Sequence, residues 1–255
     1  MNFFGHARVV IVATAAVCII SFGLEAPASA AVPQGYRIYQ SIPLRRAVDG
    51  VNGALELVQD ERITENLRAK MHGSDRVMYC YDDTLAVLCE SIRRVPLKPT
   101  LVRLVNAADQ VVDSREFERE LGTMQPFKLY GESPRAFAVT IDFSAGFGSY
   151  NGEITFFGDI RAGRLRWLKA QRSGGGDEEM TVMTSLKTAW KLVKAGNGAG
   201  MDILKIACRP NFASENDFDL TYTRFAFDGK RWIRYERTKP GFWEQGSFPA
   251  LEEFP

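Results

Sequence analysis

Between Ala136 and Ala170 apolar and polar residues alternate with the period of two that a half-buried strand requires. Asn151-Gly152 and Ala162-Gly163 read as two-residue hairpin turns, with glycine supplying positive backbone angles at little steric cost. The second turn sets Ile160 opposite Leu165, Asp159 opposite Arg166 and Gly158 opposite Trp167. The first sets Phe147 opposite Phe156 and Phe143 opposite Ile160. One face then gathers Phe137, Val139, Ile141, Phe143, Ile154, Phe156, Ile160, Leu165 and Trp167. The other carries Thr140, Asp142, Thr155, Asp159 and Arg166, with Phe157 and Leu168 as exceptions. Two separate turns yield one coherent apolar face, as strand register demands.

The same reading predicts strands over Thr100–Val105 and Val111–Phe117, around a turn at Asn106–Gln110. A second hairpin joins Asp219–Phe227 to Lys230–Arg237 through Asp228-Gly229, pairing Phe225 with Trp232 and Tyr222 with Tyr235. Met180–Val193 fits both a helical stripe and a strand's alternation, and its β-branched residues favour the strand. The apolar run Ile203–Cys208 follows. Residues 31–41 form a leader, and Pro43 to about Gly73 reads as helical. The clearest part is DERITENLRAKMHG, with Asp60 as N-cap, Ile63, Leu67 and Met71 on one stripe, and Gly73 as the stop. Short strands are expected at Val77–Cys80 and Leu85–Cys89. The expected fold class is α+β, predominantly antiparallel β meander and hairpins with one or two N-terminal helices. A helix-plus-hairpin region covers residues 31–125 and the meander region 126–255, or the two form one domain over 31–255. The tail GFWEQGSFPALEEFP is expected to pack back over the sheet edge.

The N-terminus carries a different pattern. Arg8 precedes the uncharged run Val9–Phe22, then come Pro27 and the small-residue triplet Ala28-Ser29-Ala30, the layout of a secretory signal peptide. A bilayer-spanning helix needs about 20 apolar residues, more than this run supplies. Cys18 lacks the small preceding residue of a lipoprotein site, because Val17 stands there. The expected localisation is extracytoplasmic, periplasmic or secreted, with cleavage after Ala30. Loss of residues 1–30 removes Arg8 and Glu25, so the net charge stays at +1. Such a balance gives no overall electrostatic footprint for nucleic acid, and no membrane span is expected after signal removal.

In an oxidising compartment Cys80 and Cys89, at the ends of a short predicted hairpin, are candidates for a disulfide, with Cys208 a buried free thiol. His72 is the one histidine left after cleavage, which leaves little room for a His-based catalyst or a zinc site. At the end of a predicted helix it caps the carbonyls. Neither a metal nor a cofactor is expected. Asp142 and Asp159 share the polar face of the meander and are the candidate catalytic pair, since two carboxyls suffice for glycoside hydrolysis. The plainer reading makes Asp159 the cross-strand partner of Arg166. The glycine-rich stretch 144–152 joins two strands and lacks the helix N-terminus of a phosphate loop. Phe147 and Tyr150 make it a candidate binding loop. Trp167, Trp232, Tyr235 and Trp243 are candidates for an aromatic platform, with Trp243 the most accessible of them.

These residues point first to a non-catalytic binding or interaction protein outside the cytoplasm, with a protein or carbohydrate partner. A secreted carboxylate-dependent hydrolase and a structural envelope component are the alternatives. The leader yields the first testable expectation. N-terminal sequencing or intact-mass measurement of the exported protein should find Ala31 as the first residue. A chain that retains Val9–Phe22, or carries lipid on Cys18, would contradict it.

Overall fold

A computed structural model describes residues 31–44, 51–65, 67–68, 94–129, 136–143, 149–172, 174–196, 200–213 and 217–255. The chain builds three sheets stacked face to face, antiparallel except for one parallel pair of strands in the third. The first sheet runs β1 (Tyr36–Pro43), β2 (Gly53–Asp60), β3 (Thr100–Asn106) and β4 (Val111–Phe117) in sequence order. The middle sheet holds β5 (Gly122–Phe127), β6 (Ala136–Asp142), β7 (Glu153–Arg161), β8 (Arg164–Trp167) and β11 (Thr181–Thr184). The third sheet is built from β9 (Lys169–Arg172), β10 (Asp177–Glu179), β12 (Thr188–Lys194), β13 (Met201–Pro210), β14 (Phe218–Phe227) and β15 (Trp232–Pro240). A 3-10 turn at Leu251–Glu253 lies near the C-terminus.

Three cores follow from this stack. Leu55, Leu57, Val102, Leu104 and Phe117 of the first sheet meet Phe137, Val139, Ile141, Phe156 and Ile160 of the middle sheet. All nine residues expected on one face of the meander lie in or against this core. The opposite face of the middle sheet is buried as well. Ala136, Ala138, Phe157 and Val182 pack on Ala170, Ile203, Phe225 and Trp232 of the third sheet. Phe157, an exception to the alternation in sequence, is fully buried there. The outer face of the third sheet, with Leu204, Ile206, Cys208 and Tyr222, is covered by Trp243, Phe248 and Phe254 of the tail. The Tyr222 and Phe254 rings meet edge-on at 5.4 Å.

The middle and third sheets are joined by chain that passes from one to the other. β8 runs through Leu168 into β9, and β10 runs through Met180 into β11. Both crossing residues are buried in the second core, and the Met180 amide donates to the Leu168 carbonyl at 2.8 Å. The β11–β12 connection at 185–187 makes a third crossing. Strands that switch sheets form corners of this kind.

The fold class differs from the expected α+β. The protein is nearly all β, and no helix of seven residues or more occurs among the described residues. The segment read as helix from Pro43 onward contains β2, GALELVQD, whose Ala, Leu, Glu and Gln residues have good helix propensity. Tertiary burial overrides that propensity: Leu55 and Leu57 alternate into the first core, and Glu56 pairs with Arg103 across the strand at 3.0 Å. Residues 36–41, expected as part of the leader, belong to β1. Asp60 ends β2 instead of capping a helix. Burial pushes its carboxyl up, but bonds from the Arg62 side chain and from the Lys98 and Arg62 amides outweigh that and hold it below its ordinary range. A single helical turn starts later, where the Thr64 hydroxyl accepts the Leu67 amide at 3.1 Å. Ile63 and Leu67 of the expected stripe are fully buried. Met71, His72, Cys80 and Cys89 lie outside the described residues, so the helix stop and the cysteine pair do too.

Register was read well at one turn and displaced at two others. Ala162 and Gly163 have φ of 50° and 71°, and Ile160–Leu165, Asp159–Arg166 and Gly158–Trp167 pair as expected. Phe137 covers Gly158: an added Cβ would sit 2.5 Å from its ring, and Trp167 meets that ring edge-on. Between β6 and β7 the connection spans residues 143–152, so Phe156 pairs with Val139 and not Phe147. Between β14 and β15 the turn covers Asp228–Arg231, closed by Asp228 accepting the Lys230 and Arg231 amides. Phe227 therefore pairs with Trp232, and Tyr222 with Arg237. Both displacements are by an even number of residues, which leaves every side chain on its expected face. Met180–Val193 forms strands, as its β-branched residues indicated. No helix among the described residues is long and apolar enough to cross a membrane.

Candidate functional site

The second face of the middle sheet is apolar only where the third sheet covers it. Toward the other end of β6 and β7 the same face carries Thr140, Thr155, Asp142 and Glu153. Thr140 and Thr155 pair across the strands with their hydroxyls 2.9 Å apart, and Asp142 stands directly opposite Glu153. Thr123 of β5 is the register partner of Thr140. This polar end opens into a cleft of about 250 Å³, lined by Tyr39, Arg68, Thr123, Thr140, Asp142 and Glu153, with Leu121 and Gly122 completing it.

Each wall has a local cause. A bulge between Ile38 and Gln40 in β1 displaces the strand next to Tyr39. Gln40 then accepts the Met124 amide of β5 at 2.6 Å, which joins the first sheet to the middle one at the cleft. Arg68 comes from the helical turn after β2. Its guanidinium lies 3.6 Å from the centroid of the Tyr39 ring and donates to the Gly122 carbonyl at 3.1 Å and to Gln59. Gln59 is buried and donates to the same carbonyl at 3.0 Å. Burial pulls the Arg68 pKa below its ordinary value; Tyr39 and Glu65 act in the opposite direction. The cleft thus sets fixed donors, hydroxyls that both donate and accept, and carboxylate acceptors around one small space.

Asp142 lies in this cleft, and Asp159 does not. Both are buried on the expected face. Asp142 pairs with Glu153 and Asp159 with Ala136, so six strand positions separate them. That is about 20 Å of strand. Carboxyl pairs in glycosidases stand about 5–10 Å apart, so these two do not act on one bond. Asp159 instead holds Arg166 through two parallel bonds, Nε to Oδ1 at 2.7 Å and Nη2 to Oδ2.

The remaining candidates are dispersed. Phe147 lies outside the described residues, and Tyr150 is half-buried in the turn before Asn151. Trp243 is not the most accessible of the four candidate aromatics, since Tyr235 is exposed; among the tail's rings it packs on the third core, with Nε1 donating to the Ser247 carbonyl at 3.3 Å. Phe242 is the exposed one, with the Lys187 ammonium 3.7 Å from its ring centroid. Trp167, Trp232 and Trp243 belong to three different cores and form no common platform. Cys208 is a buried free thiol in the third core, as expected. Tyr39, Arg68, Thr123 and Glu153 escaped the reading of the sequence. Glu153 carried a usable signal, since it follows Asn151-Gly152 directly and begins the strand opposite the end of β6.

No family model, curated protein or solved structure matches the chain in comparisons with known proteins.

The Asp159–Arg166 pair is unequal in burial, with side-chain exposures of 7% and 44%. Removing the guanidinium strands a carboxylate away from water, whereas removing the carboxylate leaves an arginine that water can reach. Urea unfolding should therefore show Arg166→Met costing about 3 kcal/mol and Asp159→Asn about 1 kcal/mol. Equal costs, or the reverse order, would contradict the burial of Asp159.

Proposed function

We propose that the protein is an extracytoplasmic, non-catalytic binding protein that takes a small hydroxyl-rich ligand of the carbohydrate class in the Tyr39–Glu153 cleft. The observation that carries this reading is the cleft's lining. Asp142 and Glu153 are acceptors for ligand hydroxyls, Thr123 and Thr140 exchange hydrogen bonds in both directions, and the Tyr39 ring offers a flat wall. The volume of about 250 Å³ lies at the small end of ligand pockets, which favours a ligand of one or two sugar rings. The signal-peptide pattern of residues 1–30 supports the location.

A carboxylate-dependent hydrolase is the second reading, favoured by one observation. Asp142 and Glu153 are directly opposed on neighbouring strands, so their Cβ atoms stand about 5 Å apart. Both carboxylates rise from the same sheet face, side by side. Hydrolysis needs them on either side of a scissile bond, and this arrangement favours binding.

Saturation-transfer NMR with a panel of mono- and disaccharides tests the proposal. At least one sugar should bind, and Glu153→Gln should weaken it roughly tenfold, the weight of a hydrogen bond to a charged group. Failure of every sugar to bind at millimolar concentration would refute the ligand class. Turnover of nitrophenyl glycosides that disappears in Asp142→Asn would establish the hydrolase in its place.

A further inference from the structure

The inward face of the third sheet turns polar beyond Ile203 and Phe225. Strand register lays one row of side chains across it there: Trp190 of β12, Lys205 of β13, Thr223 of β14 and Glu236 of β15. Ala207 and Arg209 follow Lys205 on the same side, because alternate residues of a strand share a face. Ala207 stands opposite Thr221, and Thr221 opposite Thr238. The Thr221 and Thr238 hydroxyls meet at the surface, 3.2 Å apart. The ground between Lys205 and Arg209 is therefore low, made of small side chains, and open to water at Thr238.

Lys205 is the odd member of this face. Its side chain is half-buried, yet its ammonium forms neither a salt bridge nor a hydrogen bond among the described residues. The acids around it are engaged elsewhere. Glu236 and Glu178 pair with Arg234, and Glu178 also with Arg172. Asp219, directly opposite Arg209, accepts from Asn211 at 3.5 Å. Arg209 is exposed and likewise has no salt bridge among the described residues. Trp190 packs edge-on against Phe127 and Phe157 and brings no charge. Burial lowers the Lys205 pKa first, Arg234 and Arg209 lower it further, and Glu236 and Glu178 act the other way. A cation drawn away from water is ordinarily matched by an opposite charge. Lys205 has an excess of like charge beside it instead.

We infer that this stretch of the third sheet is a binding site for a small dianionic oxyanion, a sulfate or phosphate group, seated over Ala207 between Lys205 and Arg209. Lys205 supplies a point charge, and Arg209 a planar fork that matches two oxygens. The Thr221 hydroxyl beside Ala207 is a further donor. The site lies on a different sheet from the walls of the Tyr39–Glu153 cleft and is independent of the ligand proposed there.

Sulfate is the probe, because its charge stays fixed while Lys205 titrates. An anion held by the ammonium raises the Lys205 pKa, so its affinity is full at low pH and falls as the pH rises through that pKa. NMR of the 13C-lysine-labelled chain, at ionic strength held constant with NaCl, reads this directly. Sulfate should move the Lys205 Cε signal saturably and shift its titration midpoint upward, while the exposed Lys194 does not respond. Isothermal titration should show Lys205→Met and Arg209→Gln each losing roughly tenfold in sulfate affinity, the weight of one charge-assisted contact. Lys205→Met removes an unmatched cation, so its urea midpoint should not fall below that of the parent chain, which separates lost binding from lost folding. A Lys205 midpoint that ignores sulfate up to about 50 mM, or equal sulfate affinity in Lys205→Met and the parent chain, would overturn the site.

Discussion

The centre of the middle sheet is buried on both faces, so the strands that cross it there must satisfy two cores at once. β6 and β7 meet that demand with Phe137, Val139, Ile141, Phe156 and Ile160 on one face and Ala136, Ala138 and Phe157 on the other. Each large side chain removed from water in this way contributes about 1.5–3 kcal/mol. The outer sheets are less constrained. The first needs one apolar face, and the third is completed by the tail, whose Phe248 and Phe254 rings stack at 5.6 Å. The small residues on the second face of β6 matter too, since Ala136 and Ala138 leave room for Phe157 and for the third sheet to approach.

The cleft is a consequence of the same constraint. The third sheet covers only part of the second face of the middle sheet, so that face turns from apolar to polar where the cover ends. At one end stand Thr140, Thr155, Asp142 and Glu153, and at the other Asp159, Arg161 and Arg166. The third sheet shows a related division. Beyond the apolar corner of Phe225 and Trp232, its inward face carries Glu178, Arg234 and Glu236 in a connected set of ion pairs. Burial raises the Glu178 carboxyl, and the Arg172 and Arg234 side chains outweigh it and hold the carboxyl below its ordinary range. Lys205 on the same face is pushed below the usual lysine range by burial first and by Arg234 and Arg209 after it.

What was legible in the sequence was local and periodic. The alternation over 136–170 identified the apolar face, because an even displacement of register preserves side-chain faces. The Ala162-Gly163 turn identified true partners, because two residues with positive φ leave one way to close the hairpin. The Asn151-Gly152 signal failed as a tight turn because the hairpin closes at Asp142–Glu153, before the residues that turn would have paired. The helix expected after Pro43 failed because Leu, Glu and Ala satisfy a strand's alternation as well as a helical stripe, and only contact with Val102 and Leu104 decides between them. The candidate sites were less legible still. Tyr39, Arg68, Thr123 and Glu153 meet through a bulge, a helical turn and two sheets, and no local pattern records such a meeting.

The central claim is that the doubly buried middle sheet makes the three layers one cooperative unit. Hydrogen–deuterium exchange followed by mass spectrometry at increasing urea concentration tests it most directly. Peptides covering β6 and β7 should be the slowest to exchange. Those covering β2–β3 and β13–β14 should lose protection in the same urea transition as β6–β7. Loss of protection across β12–β15 at clearly lower urea, with β6 and β7 still protected, would show that the third sheet is a separate unit and contradict the account.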